Sequence, residues 1–91
     1  MNTAQRMAEI SRRLEAGLQP TLLEVIDEGH QHAGHEGARD GRGHFRVYIV
    51  AAPFSGRSLI QRHRLVYQAV GDLMKSDVHA LAIEARAPDE I

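Results

Sequence analysis

Apolar residues recur along this chain with two different periods. Over residues 1–18, Met7, Ile10 and Leu14 fall three and four positions apart, with Arg6, Glu9, Arg12, Arg13 and Glu15 between them, which is one apolar face of a helix. Asn2 or Thr3 can cap its start, because a short side-chain oxygen accepts an otherwise unpaired N–H, and Gly17 is a natural stop. From residue 21 to 28 the period drops to two, with Leu23 and Val25 alternating with Leu22, Glu24 and Ile26, which predicts a strand. A second strand spans 44–52, with Phe45, Val47, Ile49 and Ala51 on one face, and Pro53 ends it because it has no N–H for a ladder. Residues 54–57, Phe-Ser-Gly-Arg, read as a turn. The longer period returns over 58–75, where Leu59, Ile60, Val66, Tyr67, Val70, Leu73 and Met74 predict a helix with a broad apolar stripe, and Gln61–His63 is a point at which it can break. Residues 78–87 form a third strand, with His79, Leu81, Ile83 and Ala85 on one face.

The predicted order is therefore α-β-β-α-β. The first two strands pair antiparallel, and the crossover through the long helix sets the third parallel to the second. Both helices then cover one face of a three-stranded mixed sheet, a two-layer α+β sandwich. Ninety-one residues make a single domain, residues 1–91. Residues 29–43 interrupt the pattern: five of them are Gly and no apolar period survives, so this connection is expected to be a mobile loop of the length that often carries function.

Composition narrows the chemistry. There is no Cys, which excludes disulfides, thiolate metal sites and Cys nucleophiles, and fits a reducing compartment. The longest apolar run, Val47 to Pro53, is too short to cross a bilayer, and the N-terminal stretch is polar, so a cytoplasmic protein without membrane contact is expected. The net charge of -1 gives no global nucleic-acid signature. No Gly-x-Ser-x-Gly elbow or Lys-Ser/Thr phosphate loop occurs, and no enzyme is expected.

Two residue groups carry candidate chemistry. The loop histidines His30, His32 and His35 place several imidazoles on one flexible segment, a donor type suited to zinc, copper and iron. On spacing alone, however, a solvated polar loop is the simpler account. His79 lies at the start of the last strand, where a lone His is more often structural but a rim position offers a ring nitrogen to an outside metal. Arg57, Arg62, His63 and Arg64 form a local basic cluster, readable as a phosphate or partner contact or as a solvated helix face. The turn before it has only Gly56 where a Gly-x-x-Gly loop would let a nucleic-acid backbone approach, and aromatic platforms are few.

Several blocks in order, Asp27-Glu-Gly-His-Gln-His-Ala-Gly-His35, His44-Phe-Arg-Val47, Phe54-Ser-Gly-Arg57, Gln61-Arg-His-Arg-Leu-Val-Tyr67 and Val78-His-Ala-Leu-Ala82, make the chain resemble the BolA family from about residue 5 to residue 90. The resemblance implies a class II KH-like fold, in agreement with the order above. It implies pairing with a monothiol glutaredoxin to share a 2Fe-2S cluster, with the family's C-terminal ligand histidine falling on His79 and the loop ligand on His32, His35 and His30 being the alternatives. The sulfur ligands then come from the glutaredoxin Cys and glutathione, and the isolated chain holds no cofactor. Mixed His/thiolate ligation of such a cluster is established chemistry. The resemblance also implies a second activity, transcriptional regulation of stress and morphology genes through binding of double-stranded DNA by the KH-like surface.

Overall fold

The computed structural model describes residues 1–29 and 42–91. The elements run α1 (Thr3–Leu18), β1 (Leu22–Asp27), β2 (Gly43–Val50), a 3-10 turn (Ala52–Phe54), α2 (Leu59–Val70), α3 (Leu73–Ser76), β3 (Val78–Arg86) and a second 3-10 turn (Pro88–Glu90). The sheet order is β1-β2-β3, with β1 antiparallel and β3 parallel to the central β2. The expected α+β sandwich with a three-stranded mixed sheet is thus present, with one short helix more than the sequence pattern predicts.

Asn2 caps α1 through a reciprocal pair with Gln5: each side chain accepts the other's backbone N–H at 2.8 Å. The helix buries Ile10, Leu14 and Leu18, four residues apart. It does not stop at Gly17. It runs to Leu18 and is capped by Gln19, which takes the left-handed conformation at φ 49 ahead of Pro20. Gly17 instead lies against α2, where an added Cβ would stand 3.1 Å from that of Ala69. The polar side of α1 is tied down as well. Arg13 donates from Nη1 to Val70 O at 2.7 Å and to Asp72 at 2.8 Å, and Arg6 reaches Asp77 at 3.2 Å.

The predicted inner face of β2 is buried, with Phe45, Val47, Ile49 and Ala51 beneath the helices, and two residues of the other face, His44 and Val50, are buried as well. The predicted helix over 58–75 is continuous through Gln61–His63 and breaks at Gly71, whose φ of 67 ends α2 and lets α3 start in a new direction. The stripe on α2 is also narrower than predicted. Its inward row is Arg62, Val66 and Val70, spaced by four, while Leu59, Ile60 and Tyr67 are 67%, 65% and 41% exposed.

Gly43 opens β2 where space is shortest. A Cβ there would stand 2.5 Å from two carbons of the Phe45 ring, which is itself fixed in the core. Gly43→Ala is therefore expected to destabilise by about 1–3 kcal/mol through overpacking. Urea denaturation checks this as a lower midpoint at unchanged slope; an unchanged midpoint would show that the ring yields freely.

Candidate metal-ligand and partner site

His79 owes its position to a bulge. Gly43 pairs with Val78 and His44 pairs with Ala80, so His79 is one extra residue facing a pair of consecutive residues on β2. Val78 stays in the core, Leu81 pairs with the buried Phe45, and the bulge turns His79 out of their face. The predicted alignment of His79 with Leu81, Ile83 and Ala85 is corrected by this: a two-residue period cannot pass unbroken through an inserted residue. His79 is exposed, on the side of the sheet that carries the His44 ring, opposite the core-facing Phe45. Its ring leans on that of His44, only 6% exposed, with centroids 4.9 Å apart and planes inclined by 47°. Arg42 places Nη2 3.3 Å from His79 Nδ1 and donates from Nη1 to Lys75 O at 3.4 Å.

The two ends of the connection between β1 and β2 are fixed at this same end of the sheet. Asp27 accepts from Gly29 N at 2.8 Å, Glu28 N donates to His44 O at 2.8 Å, and Arg46 Nε donates to Glu28 at 2.9 Å. On the other side Gly43 N donates to Asp77 O at 2.9 Å, next to the start of β3. The expected loop ligands His30, His32 and His35, and the expected mobility of their segment, lie outside the described residues. Among the described residues no group of three or more His, Cys, Asp or Glu is arranged to hold a metal ion. The donor chemistry fits a 2Fe-2S cluster only as a partial set. His79 offers imidazole at an accessible rim, and a chain without Cys leaves the sulfur ligands to other molecules.

The basic cluster is at the opposite end of β3, about 20 Å away along a strand that rises roughly 3.3 Å per residue. Ser58 caps α2 by a reciprocal pair with Gln61. Arg57 and Arg64 are exposed, and His63 is half-buried in a cleft with Arg57, Leu59, Arg62, Ile83 and Arg86. Arg62 does not belong with the presented cations. Its guanidinium is buried, donates to Arg57 O at 3.0 Å and Ala85 O at 3.1 Å, and grips both oxygens of Glu90 at 2.6 and 2.7 Å. Such a planar fork, with four of its N–H groups committed inside the fold, positions the Pro88–Glu90 turn rather than meeting a phosphate. Glu90 also accepts from Ala87 N at 2.9 Å. The Arg62–Glu90 pair was not visible in the sequence, since the two residues lie 28 positions apart in the chain.

Those contacts make acid stability measurable. The Arg62 guanidinium and then the Ala87 N–H hold the Glu90 carboxyl down at about 2, from an ordinary 4.5. Arg12 and Arg13 hold Glu9 at about 2 in the same way. A depressed folded-state pKa contributes stability that is complete above the unfolded value and disappears as pH falls toward the folded one. Thermal stability should thus decline between about pH 4.5 and pH 2, and Glu90→Gln should flatten the decline while lowering the neutral-pH Tm. Arg62→Ala should lower Tm by roughly 5–10 °C, since it also strips two backbone carbonyls of a buried donor. Scanning calorimetry across this pH range checks both; identical pH profiles for wild type and Glu90→Gln would count against the Glu90 assignment.

A small α+β domain with an exposed histidine on a bulged edge strand is the class that the fold and the site define. The family described as BolA-like protein matches residues 14–90, and the chain belongs to that family. It is 45% identical over 91 residues to SufE-like protein 1, chloroplastic/mitochondrial, of Arabidopsis thaliana, covering 94% of this chain but only 24% of that protein. It is 36% identical over 74 residues to the DNA-binding transcriptional regulator BolA of Escherichia coli (strain K12), covering 81% of this chain and 68% of that protein. The solved BolA domain of SufE1 from Arabidopsis thaliana superposes with a TM-score of 0.84 at 43% identity, covering 100% of this chain and 99% of that one. No helix among the described residues is long and apolar enough to cross a membrane.

Proposed function

We propose that this protein is a non-catalytic cytoplasmic adaptor that joins a monothiol glutaredoxin and shares a 2Fe-2S cluster with it, in iron-sulfur trafficking or iron sensing. The observation that carries the reading is the bulge that turns His79 out to solvent, at the sheet end where the β1–β2 connection leaves and returns. The cluster, when bound, supplies iron centres that take nitrogen or sulfur donors, with thiolates from the glutaredoxin Cys and glutathione. On this chain, His79 provides one imidazole and His32 is the second ligand of the reading, with His35 or His30 in its place as the alternatives. His44 packs against the His79 ring. Mixing the purified protein with cluster-loaded monothiol glutaredoxin tests the reading: visible circular dichroism should change and reach a plateau at a fixed ratio, and an unchanged spectrum would reject it.

A second reading, a DNA-binding transcriptional regulator, is favoured by the similarity to the DNA-binding transcriptional regulator BolA of Escherichia coli and by the exposure of Arg57 and Arg64. It requires contact from those two arginines and His63, not Arg62. Its test is salt-dependent binding to double-stranded DNA that weakens when Arg57 and Arg64 become Ala, with no gel shift at low salt as the adverse result.

A further inference from the structure

Arg42 touches His79 at the atom that decides whether the ring can bind a metal. Its Nη2 lies 3.3 Å from Nδ1, while Nη1 is anchored to the carbonyl of Lys75. A guanidinium only donates, so Nδ1 must be the acceptor in this contact. A neutral imidazole whose Nδ1 accepts carries its proton on Nε2. Two routes lead from there to a metal-bound ring. A metal at Nδ1 takes the lone pair that Arg42 occupies. A metal at Nε2 sends the ring proton to Nδ1, where it faces a group that cannot accept it. Either route breaks the Arg42 contact. His44 packs against one side of the ring, with the centroids 4.9 Å apart. The positive charge of Arg42 opposes an arriving cation as well.

We propose that Arg42 is a positioning residue that occupies Nδ1 of His79 and favours the proton on Nε2, so that the Arg42–His79 hydrogen bond and metal binding at His79 exclude each other. This rests on the reading of His79 as a ligand and adds to it a residue that sets how readily the ring engages and lets go.

Long-range proton–nitrogen spectra of the metal-free full chain read the tautomer, and the expected form has its proton on Nε2 of His79. Zn2+ then serves as the probe, with the His79 ring signals followed through a titration. Arg42→Ala should tighten Zn2+ at His79 by about three- to tenfold, the range for removing one modest competing hydrogen bond. Arg42→Gln, neutral and able to accept from Nδ1–H, should tighten it similarly, and serves if the Ala variant does not fold. An Nδ1–H tautomer in the wild type overturns the proposal. So does an equal or weaker affinity in the variants, or a His79 ring that responds to Zn2+ in none of the three proteins. The titration uses the isolated chain, so it separates from the glutaredoxin test. Unchanged dichroism beside a fold-change for Arg42→Ala would reject the partner and keep the contact.

Discussion

His79→Ala is expected to abolish the circular dichroism change on mixing with cluster-loaded glutaredoxin. The loss should exceed about a hundredfold in apparent affinity, because residues that merely support metal ligands already contribute 10- to 100-fold. The fold should be nearly indifferent to the change. The side chain is exposed and sits on an inserted residue outside the regular pairing, so the stability effect belongs with surface substitutions, within about 0.5 kcal/mol. His63→Ala is the matched control: it removes an imidazole at the other end of β3, beside the cleft, and should leave the spectrum as in wild type. The same plateau with His79→Ala as with wild type would remove His79 from the site.

Phe54→Ala is expected to produce the largest loss of stability, about 3–5 kcal/mol. Phe54 is completely buried although it sits in a 3-10 turn between β2 and α2, and Pro53 and Arg57 close that turn around it: Arg57 Nε donates to Pro53 O at 2.9 Å. Its ring anchors the segment that delivers α2 to the sheet, and truncation would leave a cavity that the constrained turn cannot collapse into. Against a typical domain stability of about 5–15 kcal/mol, such a loss would leave the fold marginal. Phe54→Leu, which keeps most of the volume, should cost clearly less. Urea midpoints at constant slope measure both, and near-equal midpoints for Ala and wild type would show that the ring carries little of the packing.

The strands and the first helix were legible because their patterns are local. Phe45, Val47, Ile49 and Ala51 alternate without interruption, and Ile10 and Leu14 keep helical spacing. The features that the sequence pattern does not reveal depend on partners distant in the chain. The bulge at His79 exists only in relation to Gly43 and His44, so the local two-residue period assigned its ring to the wrong face. Arg62 has the chemistry of a surface residue, and it is buried because Ala85 and Glu90 accept its hydrogen bonds. The exposure of Leu59, Ile60 and Tyr67 follows from the one-way nature of apolar burial: cores are apolar, but apolar residues are not all in cores. Gly71 broke a helix whose apolar spacing continued to Met74, and the Arg13 bonds to Val70 and Asp72 hold that break in place.

Remove the single residue at position 79 in thought, and Val78 and Ala80 become neighbours opposite Gly43 and His44, themselves neighbours. The ladder would then run true from end to end, with every other partnership kept. The domain carries one more amino acid than its architecture requires, and the surplus is the one whose side chain looks outward.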